Sequence, residues 1–477
     1  MVEAPKTTPA PRASRVTGNQ PIEEYRRDRP ASSRRIKILP TEVHQTLARH
    51  MMVDGFDLVV DLRKSQGCRI YDSRYNKRYL DFFSFFASSA LGMNHPKSTE
   101  PEFLEELTAA AVNKPSNSDA YTVEMAEFVE TFSRIVQPAY LPYAFFVDGG
   151  ALAVENALKT AFDWKVRKNF IKGYTEERGS QIIHFRRAFH GRSGYTLSLT
   201  NTDPTKTNYF PKFKWPRIQN PAIKFPLNEE HLKEVMEDEE TAIRQIKEAI
   251  INSPDDIAAL IIEPIQAEGG DNHFRKEFLS KLREICDECE ILLIFDEVQT
   301  GVGLTGKMWA HEYFVRPDLL VFGKKTHVCG FMSSTRIDDV LDNVFHKPSR
   351  LNSTFGGNLV DMVRFRRIME IIVEDRLVEN ASVNGEYMMK HLNAFSEEFP
   401  ELVTNVRGRG MMCAIDLDTA QNRDQLRQKA YEEGLIIIGC GDRSIRFRPP
   451  LTIRQGELEE GFSIMRKALQ ELNVGEL

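Results

Sequence analysis

ILLIFDEVQ, residues 291–299, decides the fold: an unbroken apolar run, Ile291 to Phe295, closes on Asp296. A run apolar along its whole length, too short for a core helix and flanked by turn residues, reads as a strand covered on both faces. AFFVDGG (144–150), QIIHF (181–185), IAALIIEPIQ (257–266) and DLLVFGKK (318–325) repeat the pattern. Helical stretches separate them, among them ALAVENALKTAFDWKVRK (151–168). Alternation of this kind predicts an α/β chain with a mostly parallel sheet between helices, whose ligands bind beyond the carboxyl ends of the strands. From about Asn358 a long helical run, 359–395, leads into strand-like VRGRGMMCAIDL, GLIIIG and IRFRPPL and a closing helix, a smaller α/β C-terminal domain. The expected division is a flexible arm over 1–38, a segment of the small lobe over 39–95, a large domain over 96–357 and the small domain over 358–477.

The 477 residues exceed what one core accommodates, so at least two lobes are expected. The chain is 41% hydrophobic and 28% charged, and its net charge of −6 is spread along its length, which gives no support to a nucleic-acid partner. No apolar run approaches the ~18 to 20 residues of a membrane helix. Six scattered cysteines do not make a disulfide scaffold and suit a reducing, cytoplasmic compartment. Cys286-x-x-Cys289 falls in a helical stretch without a second ligand pair, so both read as free thiols. The arm lacks the apolar core of a secretory signal, and Glu3, Glu23, Glu24 and Asp28 among its arginines weaken a transit-peptide reading.

Chemistry concentrates at the strand ends. A lone carboxylate at Asp296 is costly to bury without a cation facing it. The next strand delivers Lys324 and Lys325 at its own carboxyl end. Pyridoxal needs both parts, an amine to bond its aldehyde and an acid to keep the pyridine nitrogen protonated. A structural ion pair between strand ends is the plain alternative. Gly149-Gly150-Ala151 opens a helix after a strand, where free N–H groups suit a phosphate. Phe189 and His190 follow QIIHF, and the Phe189 ring could stack on a planar group. Glu263 and Glu268 follow IAALII, while Arg446 and Arg448 alternate in IRFRPPL, the residue type that grips carboxylates. Gly-x-Gly-x-x-Gly at 301–306 matches a dinucleotide fingerprint, but Gln299 and Thr300 intervene after the strand and no acid ends the next one, which disfavours a nicotinamide oxidoreductase.

In order, GGALAVENALK, FHGRSGYT, IIEPIQAEGG, FDEVQTGVGLTG, DLLVFGKK and NSTFGGN resemble the motifs of class III, fold type I pyridoxal-phosphate aminotransferases, over about residues 45–470. FFSFFASSALGMNHP, NYFPKFKWPRI, FGKKTHVCG and RLNSTFGGN are similar to the lysine 6-aminotransferase branch. The resemblance implies that Lys324, six residues after Asp318, bonds pyridoxal 5'-phosphate and shuttles the proton. Asp296 would pair with the ring nitrogen, Gln299 with the ring hydroxyl, Phe189 with the ring face, and Gly150 and Ala151 with the phosphate. Thr354 would reach the phosphate of a partner subunit, with Asn352 on the substrate side, in a homodimer with shared active sites.

The same resemblance implies L-lysine as amino donor and 2-oxoglutarate as acceptor. Arg192 and Arg446 would bind carboxylates, and a movable Glu268 would cover Arg446 while lysine reacts. Cys329-Gly330 stands where the wider family has Gly-Gly, and Leu304 where it commonly has Arg. Those departures count against an ornithine or 4-aminobutyrate aminotransferase. A semialdehyde mutase or a decarboxylase would also fit the fold.

Overall fold

The computed structural model describes residues 36–474. All but the last three residues of the expected arm lie outside them. Residues 36–57 form a unit of their own, in which a 3-10 turn, Pro40–Glu42, runs into a helix, Val43–Ala48.

In the rest of the chain, strands β1 (Arg69–Asp72) and β2 (Lys77–Asp81) form a hairpin. The large sheet takes β3 (Tyr143–Val147), β4 (Gln181–Phe185), β5 (Arg217–Ile218) and β6 (Ile257–Ile262). A two-stranded pair, β7 (Ile265–Gln266) and β8 (Asn272–His273), follows. The large sheet then adds β9 (Leu292–Asp296), β10 (Leu319–Phe322) and β11 (Cys329–Ser333), in the order β3-β11-β10-β9-β6-β4-β5. It is parallel except at β11, which runs antiparallel to both neighbours. Every residue of β6, β9 and β10 is buried, as the all-apolar runs require.

Asp318 sets the register that matters. Its carboxylate accepts from Leu293 N (2.7 Å), and its own N–H donates to Leu293 O (2.8 Å). Arg283 and Arg336 neutralise it. Pinned there, β10 runs beside β9 with Val321 opposite Asp296, so Asp296 and the residues after Phe322 emerge at one edge.

The second sheet comprises β12 (Val403–Arg409), β13 (Met412–Leu417), β15 (Ile438–Cys440) and β16 (Ser444–Phe447), in the order β12-β13-β16-β15, while β14 (Leu435–Ile436) joins the hairpin parallel to β2. The sequence reading needs two corrections. GLIIIG is divided at Ile437 between two sheets rather than forming one strand. The long run after Asn358 is two helices, Leu359–Glu374 and Leu377–Glu398, broken at Arg376, whose φ of 51° no helix tolerates.

Candidate active site

The polar residues named from sequence gather at the carboxyl ends of β3, β4, β6, β9 and β10 and along β16. Gly150 opens a 22-residue helix, Gly150–Ile171, with Gly149 at its cap in a positive-φ conformation (96°). The first-turn N–H groups of Gly150 and Ala151 have no intrahelical acceptor and face outward from the helix start. A Cβ on Gly191 would sit 2.7 Å from Ala151 Cβ, so glycine there lets the 189–192 turn approach this helix end. Glu155 fixes the approach by accepting from Ser193 Oγ (2.7 Å) and Thr196 N (3.2 Å).

Asp296 does have a cationic or donor partner, and it is not a lysine. His190 Nδ1 donates to Oδ2 at 2.8 Å, both groups buried, and Val298 N donates to Oδ1 at 3.1 Å. The plain strand-end ion pair is therefore not what the structure builds. Among the described residues the Lys324 amine makes no hydrogen bond or ion pair, while the Lys324 carbonyl accepts from His327 N at 2.9 Å. It sits half-buried just past β10 with a φ of 53°, a strained conformation for a non-glycine residue that surrounding packing must enforce. Burial, with Arg446 and Arg448 close by, lowers its pKa to about 8. The Lys325 amine, by contrast, is buried and donates to Gln299 O at 2.9 Å.

Phe189 follows β4, and its ring lies under two cations, Arg192 at 5.9 Å and Lys206 at 5.7 Å. Phe189 N donates to Glu263 Oε1 (2.9 Å), and Ala267 N to Oε2 (3.1 Å). Burial pushes the Glu263 carboxyl up to about 7. Gln299 is oriented by Arg448, whose Nε donates to Gln299 Oε1 at 3.1 Å. A guanidinium only donates, so the amide oxygen must face it and the amide NH2 is left for another acceptor.

Arg446 and Arg448 both point at the 263–273 loop. Arg446 Nη2 pairs with Glu268 Oε2 (2.6 Å), while its Nε and Nη1 are buried without a partner. Arg448 Nη2 pairs with Asp271 Oδ1 (2.5 Å) in full burial. Glu268 Oε1 meets Lys206 at 2.5 Å. Burial opposes the charge of Glu268, yet Arg446 and Lys206 hold its carboxyl down at about 2. Phe86 lies 5.6 Å over Arg446, presented by a turn in which Ser84, Phe85, Phe86 and Ala87 all have positive φ.

Asn352 and Thr354 lie on none of these strands but are exposed on a turn that Ser118 Oγ holds through Ser353 O (2.6 Å) and Ser116 Oγ through Thr354 O. No hydrogen bond or ion pair among the described residues joins either to Lys324. The Gly-x-Gly-x-x-Gly at 301–306 opens no helix; Gly301 packs on Trp309 and Gly306 on Ser382. His190, Lys206 and Asp271 were missed as partners, since nothing in sequence spacing links them to Asp296, Glu268 or Arg448.

The chain matches the family model described as aminotransferase class-III over residues 51–469. It is 52% identical over 432 residues to an L-lysine-epsilon aminotransferase of Mycobacterium tuberculosis, covering 90% of this chain and 96% of that one. The L-lysine-epsilon aminotransferase of Amycolatopsis lactamdurans is 49% identical over 431 residues, 90% of this chain and 95% of that one. The solved lysine aminotransferase from M. tuberculosis in the internal aldimine form superposes with a TM-score of 0.89 at 52% identity, covering 91% of this chain and 99% of that one. A match spanning nearly the whole chain, on a site built of these groups, places this protein in the class-III aminotransferase family.

Proposed function

We propose that this chain transfers the ε-amino group of L-lysine to 2-oxoglutarate, giving L-glutamate and 2-aminoadipate 6-semialdehyde, which cyclises to piperideine-6-carboxylate. The observation that carries the choice of a terminal amine is Arg446, a buried carboxylate receptor covered by Glu268 at 2.6 Å with two more nitrogens unpaired.

The residues present suit pyridoxal 5'-phosphate. When bound, it supplies an electron sink for the carbon that loses its proton. The Lys324 amine, without a hydrogen-bond partner among the described residues and lowered to about 8, would bond it and carry the proton to and from the reacting carbon. Asp296, kept in place by His190, would hold the proton on the ring nitrogen. Gln299 would offer its amide NH2 to the ring hydroxyl, Gly150 and Ala151 their N–H groups to the phosphate, and Phe189 its ring face.

Substrate discrimination rests on charge. L-Lysine brings no carboxylate next to its ε-amine, so Glu268 stays on Arg446 and spares the site an unpaired buried cation. 2-Oxoglutarate brings one next to its keto group, and Glu268 gives way to it. Arg192, exposed beside Phe189, would take the remaining carboxylate of either substrate.

The exposure of Thr354 and Asn352 supports a homodimer in which Thr354 reaches the partner's phosphate and Asn352 the substrate side. Pairing of β14 with β2 supports a small lobe over 358–477 that takes in the first hairpin, beside a large one over 96–357. Six free thiols support a cytoplasmic setting. No helix among the described residues is long and apolar enough to cross a membrane.

The test is the visible absorbance of the holoenzyme. L-Lysine alone should bleach the cofactor band and 2-oxoglutarate restore it. A band that ignores L-lysine but answers ornithine or 4-aminobutyrate would overturn the donor, and carbon dioxide release or turnover without an acceptor would overturn the reaction.

A further inference from the structure

Glu268 is shared between two cations, and its two oxygens divide them: Oε2 takes Arg446 at 2.6 Å and Oε1 takes Lys206 at 2.5 Å. The two cations are built differently. Arg446 is fully buried in β16, whereas Lys206 lies on a short turn of helix, Pro204–Thr207, with its side chain 18% exposed. The rest of the Glu268 loop is fixed. Arg407 donates to Gly270 O (2.5 Å) and Asp271 O (2.9 Å), and Arg448 grips the Asp271 carboxylate. The Glu268 backbone is tied as well, its carbonyl accepting from Gly441 N at 3.0 Å. Any exchange at Arg446 must therefore come from the Glu268 side chain alone, which retains a quarter of its surface in solvent.

We infer that Lys206 is the second anchor of this exchange: it keeps Glu268 when a substrate carboxylate displaces it from Arg446. This rests on the reading of Glu268 as a displaceable cover. The charge balance requires such a group. Two cations, Glu268 and one incoming carboxylate make a neutral set, whereas without Lys206 the same event leaves two carboxylates against one guanidinium in a largely buried site. Pivoting about the Lys206 contact also breaks one ion pair rather than two. Lys206 thus acts as a positioning residue, through Glu268, and sets how readily the enzyme turns from amino donor to keto acid.

The experiment compares holoenzymes of the wild type, Lys206→Met, Lys206→Arg, Glu268→Ala and the Lys206→Met/Glu268→Ala pair. Single-turnover rates are measured for L-lysine and for 2-oxoglutarate, and the affinity of glutarate, a dicarboxylate that cannot react, by calorimetry. Lys206→Met should lower the ratio of keto-acid rate to lysine rate, and weaken glutarate, by about tenfold. Lys206→Arg should restore both to within about threefold, a rescue that merely damaged folding would not give. In the Glu268→Ala background, removing Lys206 should change the ratio by less than about twofold, since coupled residues lose their interaction together. A loss of the same size in that background would mean that Lys206 binds substrate directly, and equal slowing of both half-reactions in Lys206→Met would make it structural; either overturns the inference. Glu268→Ala alone tests the underlying reading: if it slows both half-reactions equally, the cover itself is wrong, whereas a selective Glu268→Ala with an unaltered Lys206→Met ratio defeats only the Lys206 anchor.

Discussion

Two guanidiniums two residues apart meet two carboxylates three residues apart, and the resulting ion pairs behave as opposites. Arg448 and Asp271 are 0% and 1% exposed, and Arg448 also orients Gln299. Arg446 is 1% exposed, but Glu268 is 26% exposed and is shared with Lys206. The first pair is shut from solvent and, among the described residues, Asp271 meets no second cation, so the pair serves as scaffold. The second is open to solvent and shared with a second cation, and in the proposed reaction that difference would let one arginine serve a substrate with a neighbouring carboxylate and one without.

Both guanidiniums lower the pKa of Lys324, so the comparison breaks first if Lys324 is not the reacting amine. Lys324→Ala should cut turnover by about ten-thousandfold or more, measured in steady state, while leaving both ion pairs and the fold in place. Arg448→Met should come next. It strands Asp271, whose Oδ2 already lacks a partner, and should cost about 3 to 5 kcal/mol of stability in urea unfolding. A loss below about 1 kcal/mol would remove the distinction between scaffold and cover.

Glu263 sharpens the contrast from a third direction. Its folded pKa, about 7, stands above the ordinary 4.5, so the folded state holds the extra proton between those values. Stability must then fall as pH rises from about 4.5 to 7, and Glu263→Gln should flatten that slope, by on the order of 2 kcal/mol in melts across the range. Glu268 shows the opposite sign. Its folded pKa of about 2 lies below 4.5, so its contribution is complete above 4.5 and disappears as pH falls toward 2. Glu268→Gln removes the counter-charge of the buried Arg446 but keeps an oxygen that can accept from it, and should cost about 1 kcal/mol at neutral pH by urea unfolding, the smallest effect here.

How much of this was legible in the sequence follows from what each feature needs. The large sheet was readable because β6, β9 and β10 are apolar at every position, and Asp296 and Lys324 stood out because they end such runs. β11 was not, since its reversed direction depends on packing between β3 and β10. Arg376 and the turn at 84–87 put ordinary residues at positive φ, where no glycine or asparagine flags the break. At the site, Arg446 and Glu268 were visible as residue types, but their pairing came only through family resemblance. Lys206 lies 62 residues from Glu268, and neither periodicity nor spacing ties them.

Exchange at Arg446 is tested most directly by where Glu268 goes when a dicarboxylate binds. A crystal structure of the holoenzyme with glutarate should show a ligand carboxylate on Arg446, Glu268 moved off it, and Arg448 still on Asp271. Glu268 remaining on Arg446 with glutarate bound elsewhere, or Asp271 leaving Arg448 as well, would contradict it.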